Sequence, residues 1–295
     1  MNKMTKYPIY IISKGRYENP MTANYFLKHN VDFKIVVEPQ EEKQYRKVLG
    51  DKVLVLPFSN LGMGGTPARN WIWQHSKEQG SERHWIFDDN IRLFRRLYKG
   101  KRIECNPKLA IIATENFTDR YENLAISGFN YTTFCMNEMK HPFYYNVHVY
   151  SALLIDNSIP YRWRLKYNED VDLCLQVLDN GLCTVLFNAF LIDKTSTAAK
   201  MKGGNQTDLY KGNSFDKKLL KAKSLEEVWP QYVETKMRYG RPHHVVEWKK
   251  YFKHPLIRRK DINWNDMKSN EFGMKLIQRD KIKNKKLEIF YKENK

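Results

Sequence analysis

The sequence predicts an α/β protein: a mostly parallel sheet flanked by helices, followed by a basic helical region. Three observations favour this class. Short β-rich apolar runs alternate with helical patterns through residues 7–124, turn residues separate them, and proline and glycine stand where helices begin and end. Such alternation is typical of parallel sheets, which bind ligands beyond the carboxyl ends of their strands.

Apolar runs bounded by turn residues predict the first strands, at residues 7–13, 33–38, 53–56 and 84–87. Helical periodicity predicts the first helices, at residues 20–30, 40–48, 66–79 and 107–124. Asn19-Pro20 and Thr66-Pro67 place a capping residue before a proline at two of the helix starts. The first half of the chain therefore predicts a repeated strand–helix unit.

After residue 128 the apolar runs become longer and richer in aromatic residues. They predict mixed or antiparallel additions to the sheet at residues 131–136 and 146–155, and a further strand follows at residues 183–192. Small and polar groups at residues 197–213 predict a mobile loop, and from Asp216 onward the pattern is helical and basic. We therefore expect an α/β catalytic domain over residues 1–213 and a basic helical region that binds nucleic acid or acceptor over residues 214–295.

Basic residues outnumber acidic ones, and the excess is concentrated near the C-terminus. The chain has 51 Lys and Arg against 33 Asp and Glu, a net charge of +18. Residues 201–295 hold 24 basic and 12 acidic residues, which is +12 of that total. Such an excess favours a polyanionic partner, nucleic acid first and an anionic membrane second; a basic surface without a specific partner is the alternative.

The remaining composition indicates a folded protein of the cytoplasm. A hydrophobic content of 42% is enough for a core and argues against global disorder. The four cysteines show no C-x-x-C spacing, so reduced, buried thiols are expected in place of disulfides or a zinc site. No apolar run approaches the ~18 residues of a membrane-spanning helix, and the N-terminal run is too short for a secretion signal.

The most informative stretch is residues 83–96, where an apolar strand ends in Asp88, Asp89 and Asn90. Two carboxylates and an amide form an oxygen-rich cluster suited to Mg²⁺ or Mn²⁺, ions that often bridge carboxylates to substrate phosphates. The basic residues that follow would bind a nucleic-acid backbone: Arg92, Arg95, Arg96, Lys99, Lys101 and Arg102. The alternative is an Asx turn followed by a solvated basic helix.

Two glycine-containing loops are candidate phosphate sites. Ser13-Lys14-Gly15-Arg16 follows the first strand, where backbone N–H groups and two cations favour a diphosphate or nucleotide. A second loop ends at Gly65 and runs into a helix N-terminus, so that Arg69 and Asn70 would lie in the first turn, near a bound anion. Neither loop has the P-loop or dinucleotide pattern, and an ordinary turn or capped loop is the alternative for each.

The helix predicted at residues 168–179 opens with Glu169, Asp170 and Asp172 behind Asn168 as its cap. The helix dipole favours acids in a first turn by ~0.3–1 kcal/mol, which explains part of the pattern. Acids beyond that need suggest a carboxylate that faces a cleft as a general base. Asp170 and Asp172 cannot face the same way, because neighbours on a helix surface lie three and four residues apart.

Together these segments resemble the TET-associated glycosyltransferase family of phages, which follows the GT-A glycosyltransferase plan. The resemblance lies in residues 9–16, 36–39, 64–71, 85–90 and 168–176. It implies a GT-A-like, Rossmann-type mixed sheet flanked by helices. It also implies transfer of a sugar from a UDP-sugar or similar donor to the hydroxymethyl group of 5-hydroxymethylcytosine in phage DNA.

The resemblance assigns roles to the same residues. Asp88, Asp89 and Asn90 would hold Mn²⁺ or Mg²⁺ on the diphosphate, although the family pattern has an acid where Asn90 stands. Asp170, paired with Glu169, would be the catalytic base of an inverting reaction. The donor would be bound by Ser13, Lys14, Arg16, Glu38, Gly65, Arg69, Asn70, Asp88, Asp89, Gly203, Gly204 and Asn205.

Other functions stay open on the sequence alone. They are a non-catalytic nucleic-acid-binding protein, a GT-A transferase that acts on a protein, lipid-linked sugar or polysaccharide, and a metal-dependent nuclease. The sugar (glucose, arabinose or N-acetylglucosamine), the stereochemistry, the preference for duplex or single-stranded DNA and the choice between monomer and dimer are also open. If the resemblance holds, the protein acts without a membrane in the cytoplasm of a phage-infected bacterium.

Overall fold

The computed structural model describes residues 4–139, 141–195, 203–204, 214–270 and 272–275. Its main feature is a mixed sheet to which ten strands of these residues contribute. Four parallel strands form one half: β1 (Ile9–Ile12), β2 (Lys34–Val37), β3 (Val53–Val55) and β4 (Arg83–Asp88). They lie in the order β3-β2-β1-β4, so their carboxyl ends meet at one edge, as the sequence predicts.

The other half of the sheet mixes both strand directions. It is formed by β5 (Ile91–Tyr98), β6 (Lys101–Glu104), β7 (Leu124–Tyr131), β8 (Phe143–Tyr145), β9 (Ala152–Asp156) and β10 (Cys183–Lys194). β9 runs antiparallel between β4 and β7, and β10 runs parallel to β7. The carboxyl end of β10 therefore reaches the same edge as those of β1 and β4. Its other side pairs with β8 and β5, and β6 follows β5.

Helices cover both faces of this sheet. They are α1 (Met21–Lys28), α2 (Glu42–Leu49), α3 (Thr66–Glu78), α4 (Pro107–Thr118), α5 (Glu169–Asp179) and α6 (Ser214–Val228). One core lies under α1, α2 and α4 and includes Phe26 and Ile111; the other lies under α3 and α5 and includes Trp73 and Leu175. No helix within the described ranges is long and apolar enough to cross a membrane.

Several expected elements were wrong in extent or type. The helix expected to reach residue 124 ends at Thr118, and the next strand is Leu124–Tyr131, earlier than the expected 131–136. This strand is buried on both faces, and an apolar run without alternation does not separate strand from helix. Of the strand expected at residues 146–155, only the part from Ala152 is extended as β9.

The basic segment after β4 is a β-hairpin, which excludes the alternative of a basic helix. Strands β5 and β6 pair in antiparallel register and turn at Lys99-Gly100, both of which have positive φ. Two consecutive residues of positive φ match the twist of a two-residue hairpin turn, and glycine takes one of them without strain. The basic residues predicted to bind nucleic acid therefore lie along the last two strands of the sheet.

Among its described residues, the C-terminal region has one α-helix, α6, at its start. After α6, the strands β11 (Val233–Arg238) and β12 (Arg241–Val246) form a second hairpin, where the sequence predicts further helix. The turn Tyr239-Gly240 has positive φ at both residues, as in the first hairpin. Leu225, Trp229 and Tyr251 are buried in the same core as α3 and α5. The domain division at residue 213 stays a prediction, although these contacts join the two parts closely.

Candidate active site

A cleft lies at the carboxyl edge of the sheet, beyond β1, β2, β4 and β10. It is bounded by the loop after β1, the glycine-rich loop before α3 and the first turn of α5. Most residues predicted to bind the donor or the metal ion, or to take part in catalysis, line it, although they come from six distant segments. They are Ser13, Lys14, Arg16, Glu38, Gly65, Arg69, Asp88, Asp89, Asn90, Glu169 and Gly204.

Asp89 fixes the loop after β1. Its Oδ2 accepts a hydrogen bond from Ser13 Oγ at 2.6 Å, and its Oδ1 accepts one from the Arg16 guanidinium. Tyr45, from α2, lies on the far side, with its hydroxyl 2.6 Å from Ser13 Oγ and accepting from Arg16 N at 3.0 Å. Burial raises the pKa of Asp89, against the opposing effect of Arg16 and Ser13. All of these groups are buried.

Asp88 is held by two cations from opposite sides of the cleft. Lys194 Nζ, at the end of β10, donates to Oδ2 at 2.5 Å, and Arg69 Nη2, from the first turn of α3, donates to Oδ1 at 3.1 Å. Lys194 also donates to Ser151 Oγ at 2.8 Å. Burial disfavours the ionised form of Asp88, but Lys194 and Arg69 outweigh it and lower the pKa of Asp88 below its ordinary value.

The rim of the cleft brings together three loops. Glu38 Oε2 lies 3.1 Å from Lys14 Nζ, and Glu38 Oε1 accepts from Asn60 N at 3.0 Å. Gly204 N donates to the Lys14 carbonyl at 2.7 Å, and a side chain on Gly203 would meet the backbone of the same loop at 2.4 Å. Only glycine permits that approach. Asn205 and the rest of the predicted loop at residues 197–213 lie outside the described residues.

The first turn of α5 presents Glu169 and Asp170 to different neighbours. Asn168 precedes the helix in the left-handed conformation, with φ of 55°. Glu169 Oε1 lies 3.7 Å from Arg69 Nε at the cleft, whereas Asp170 Oδ2 lies 3.1 Å from His148 Nε2. Burial and the charge of Asp170 raise the pKa of Glu169. Burial also works against ionisation of Asp170, but His148 outweighs it and lowers the pKa of Asp170.

The acids expected to hold Mn²⁺ or Mg²⁺ do not fit a divalent ion as they stand. Asp88 is paired with Lys194 and Arg69, and Asp89 with Arg16. Asn90 donates its amide to the Thr195 carbonyl at 2.9 Å, and its buried Oδ1 has no partner within the described ranges. Those ranges contain no group of three or more His, Cys, Asp or Glu side chains placed to hold a metal ion. Metal dependence thus stays a prediction of the sequence.

Asn70, predicted to bind the donor, turns away from the cleft. Its Nδ2 donates to the Trp163 carbonyl at 2.7 Å, and its Oδ1 accepts from Trp163 N at 3.1 Å. These two bonds satisfy the amide and seat Trp163 beneath Arg69, whose guanidinium lies 4.7 Å from the Trp163 ring centroid. Asn70 therefore positions Arg69 in this structure.

The six basic residues predicted to bind nucleic acid divide into two groups. Arg92, Lys99, Lys101 and Arg102 are exposed on the hairpin, although Lys99 also lies over the Tyr98 ring and Arg102 donates to the Thr132 carbonyl. Arg95 and Arg96 are half-buried: Arg95 pairs with Asp193, and Arg96 lies over the Tyr98 and Phe272 rings. The exposed group is thus the better placed for a polyanion.

Three residues of the site were missed in the sequence. Lys194 contacts Asp88, Tyr45 contacts Ser13, and His148 contacts Asp170. Lys194 could have been predicted in the same way as Asp88, because both are charged residues that follow a predicted strand. No comparable signal marked His148, which lies in the segment between β8 and β9, or Tyr45, which lies within α2.

Comparison with known proteins decides the family. A sequence model of the TET-associated glycosyltransferase family matches residues 7–204, about two-thirds of the chain. The chain belongs to the TET-associated glycosyltransferase family. It is accordingly a glycosyltransferase, and the matched segment runs from β1 to the glycines that close the cleft. The predicted glycosyltransferase is thereby confirmed, and the alternative of a non-catalytic binding protein is set aside.

Comparison with solved structures and curated proteins adds little to the assignment of this chain to the TET-associated glycosyltransferase family. The inositol-1-phosphate CTP transferase from T. maritima is similar at 12% identity with a TM-score of 0.38, over 76% of this chain and 97% of that chain. No curated protein matches.

Proposed function

We propose that this TET-associated glycosyltransferase moves a sugar from a nucleoside-diphosphate sugar to the hydroxymethyl group of 5-hydroxymethylcytosine in DNA, with inversion at the sugar. A UDP-sugar is the expected donor. One observation carries the proposal: the consecutive acids Glu169 and Asp170 face two different spaces. Glu169 lines the cleft beside Arg69, and Asp170 lies against His148 outside that lining. A donor site and an acceptor site would then meet at the start of α5.

The donor side is supported by the chemistry of the cleft. The glycine-rich loop before α3 leads into a helix N-terminus, and Arg69 and Lys194 offer positive charge. Phosphate groups favour such a set of donors. Glu38, at the rim, is placed to accept hydrogen bonds from a ribose or base.

The acceptor side is supported by aromatic and basic groups around Asp170. The His148 ring stacks parallel to Trp248, with centroids 6.3 Å apart, and Tyr150 packs edge-on against His148. A basic hollow lies on the neighbouring C-terminal elements, lined by Lys218, Lys221, Arg241, His243 and His244. Asn168 links α5 to this region by donating to the Lys221 carbonyl at 2.6 Å. Aromatic rings and cations together suit a base extruded from DNA and its phosphates.

The reaction then needs one base and a stabilised leaving group. Asp170 takes the proton of the hydroxymethyl group as its oxygen attacks the anomeric carbon. The bond from that carbon to the diphosphate oxygen breaks, and the oxygen keeps the electron pair. Positive charge around the diphosphate stabilises it as this negative charge develops.

The test is incubation of the protein with 5-hydroxymethylcytosine DNA, Mn²⁺ and a panel of sugar nucleotides, followed by nucleoside mass spectrometry. We expect one donor to add the mass of a hexose, pentose or N-acetylhexosamine to the modified nucleoside. DNA with unmodified cytosine is the matched control and should gain no mass.

Two other results would redirect the proposal. Transfer to a protein or polysaccharide, but not to this DNA, would show that the acceptor is not DNA. Hydrolysis of the donor without transfer would leave the acceptor unidentified and remove the support for DNA. Strand scission without donor would instead favour the nuclease reading.

A further inference from the structure

Each carboxylate oxygen of the two acids at the end of β4 already has a hydrogen-bond donor from the protein. Asp88 Oδ2 accepts a hydrogen bond from Lys194 Nζ at 2.5 Å, and Asp88 Oδ1 accepts one from Arg69 Nη2 at 3.1 Å. Asp89 Oδ2 accepts a hydrogen bond from Ser13 Oγ at 2.6 Å, and Asp89 Oδ1 accepts one from the Arg16 guanidinium. A divalent ion would have to compete with these donors, which are cations at three of the four oxygens and the Ser13 hydroxyl at the fourth. Charge neutralisation by protein side chains has therefore replaced the open carboxylate pair that a metal site needs.

Arg69 has N–H groups that can still bind a ligand. Its side chain is 9% exposed and lines the cleft, yet Nε and Nη1 have no hydrogen-bond partner among the described residues. The nearest acid to Nε is Glu169, at 3.7 Å. Buried donors without partners are unfavourable, and a guanidinium presents its donors in a fork that matches phosphate oxygens. These two N–H groups indicate an anionic ligand that the described residues do not supply.

Lys194 is placed to assist Arg69 from the opposite wall. It reaches the cleft from the end of β10 and is oriented by Asp88, Ser151 and the Tyr131 hydroxyl, the last at 3.4 Å. Arg16, Arg69 and Lys194 face the acids Asp88, Asp89 and Glu169. The acids thus hold the cations in place, and Nε and Nη1 of Arg69 still lack a hydrogen-bond partner among the described residues.

We propose that Arg69 and Lys194 bind the donor diphosphate directly and that this transferase needs no divalent metal ion for it. This inference rests on the proposed function. The diphosphate leaves with the electron pair of the broken anomeric carbon–oxygen bond, and its new charge is met by the two side chains. Asp88 and Asp89 are positioning residues here, which hold the cations at the cleft.

The experiment measures the binding of nucleoside diphosphates by calorimetry, first in EDTA and then with excess Mn²⁺. UDP, GDP, CDP and dTDP are the probes, because the base preference is open. We expect at least one to bind with a Kd in EDTA within about threefold of its Kd with Mn²⁺, a small difference on the free-energy scale. The measurement uses the unaltered protein, so no variant has to fold for the inference to be tested.

Variants then assign the binding to the two cations. Arg69→Met and Lys194→Met should each weaken nucleotide binding in EDTA by about tenfold or more, as expected for charge-assisted contacts to phosphate. Lys77→Met is the matched control, since Lys77 is exposed at the other end of the same helix as Arg69. It should bind as the unaltered protein does.

The outcomes separate this inference from the proposed function. Binding that requires Mn²⁺, or that survives both Met variants, would overturn direct binding by Arg69 and Lys194 and leave the transferase proposal standing. Absence of binding by every nucleotide, with and without Mn²⁺, would overturn the proposed function and this inference together. Nucleotide binding in EDTA that is weakened by both Arg69→Met and Lys194→Met would support direct binding by these two side chains.

Discussion

The carboxylate of Asp170 lies 3.1 Å from Nε2 of His148, which is 22 residues earlier in the chain. The His148 ring is itself held between Trp248, in the C-terminal region, and Tyr150. The proposed base is therefore positioned by three segments: the first turn of α5, the approach to β9 and the chain after β12. Its charge state and its place depend on contacts that no one of these segments provides alone.

Asp170→Asn tests the proposed base with little change of shape. Asn retains an Oδ1 that accepts from Val171 N, as Asp170 Oδ1 does at 2.9 Å, but it does not take a proton. We expect kcat to fall by about 10²–10⁴-fold while nucleotide binding stays unchanged. Steady-state kinetics and calorimetry check the two parts. Glu169→Gln, one residue earlier and at the cleft, should raise the KM for donor more than it lowers kcat. Equal effects of the two variants would contradict the division of roles.

His148→Gln should move the acid limb of the pH–rate profile to higher pH. Burial works against ionisation of Asp170, and His148, Lys221 and Arg69 together lower its pKa. A base must be ionised to act, so activity is lost as pH falls through that pKa. Without His148 the pKa of Asp170 rises, and the loss begins at a higher pH. The profile of kcat/KM measures this, and an acid limb that does not move would sink the assignment.

Trp229→Phe should lower the stability of the protein by weakening the contact between α5 and the C-terminal region. The indole Nε1 donates to Asp172 Oδ1 at 2.7 Å, and Asp172 is fully buried, with Arg164 and Gln176 as its other partners. Loss of one donor to a buried carboxylate should cost about 1–3 kcal/mol of unfolding free energy. Urea unfolding measures it. Trp71→Phe, at a half-buried position on α3, is the control and should cost under about 1 kcal/mol.

Removing charge from the tip of the first hairpin should weaken DNA binding. Lys99→Ala with Lys101→Ala deletes two exposed cations, and Lys28→Ala with Lys77→Ala deletes two at the helix ends that face the opposite edge of the sheet. Each lost phosphate contact should reduce the slope of log K against log salt by about 0.9. Fluorescence anisotropy over a salt series gives the slope. If both double variants behave alike, the hairpin is not the contact surface.

Stability should decline in mild acid because of His84. This side chain is fully buried, with Nδ1 2.6 Å from Asn157 Oδ1, and burial lowers its pKa to about 4 from 6.5. The unfolded chain binds a proton on this group below pH 6.5, and the folded protein does so only below about pH 4. Stability present above pH 6.5 is therefore lost as pH falls toward 4, by up to about 3 kcal/mol.

A histidine titration by NMR checks this without a variant. The His84 signal should remain that of a neutral ring at pH 5. A midpoint near pH 6.5 would show that burial does not govern this group.

Much of the site could be predicted from the chain because one rule applied to it. Residues that follow parallel strands meet at one edge, so Ser13, Asp88 and Asp89 were found from local pattern alone. This rule for strand ends does not predict which residues of a helix face the cleft. Arg69 turns to the cleft, whereas its neighbour Asn70 bonds to the backbone of Trp163.

The sequence by itself determined the α/β class, the family and the strand-end acids with the loops around them, because apolar periodicity and short motifs are local properties. Only the tertiary structure decided what those acids contact. Lys194 meets Asp88 because β10 runs parallel to β7 and ends at the same edge as β4, and His148 meets Asp170 because Trp248 packs from a segment a hundred residues away. Partners that come together through sheet order and packing leave no spacing in the sequence, since the chain between them sets no fixed distance.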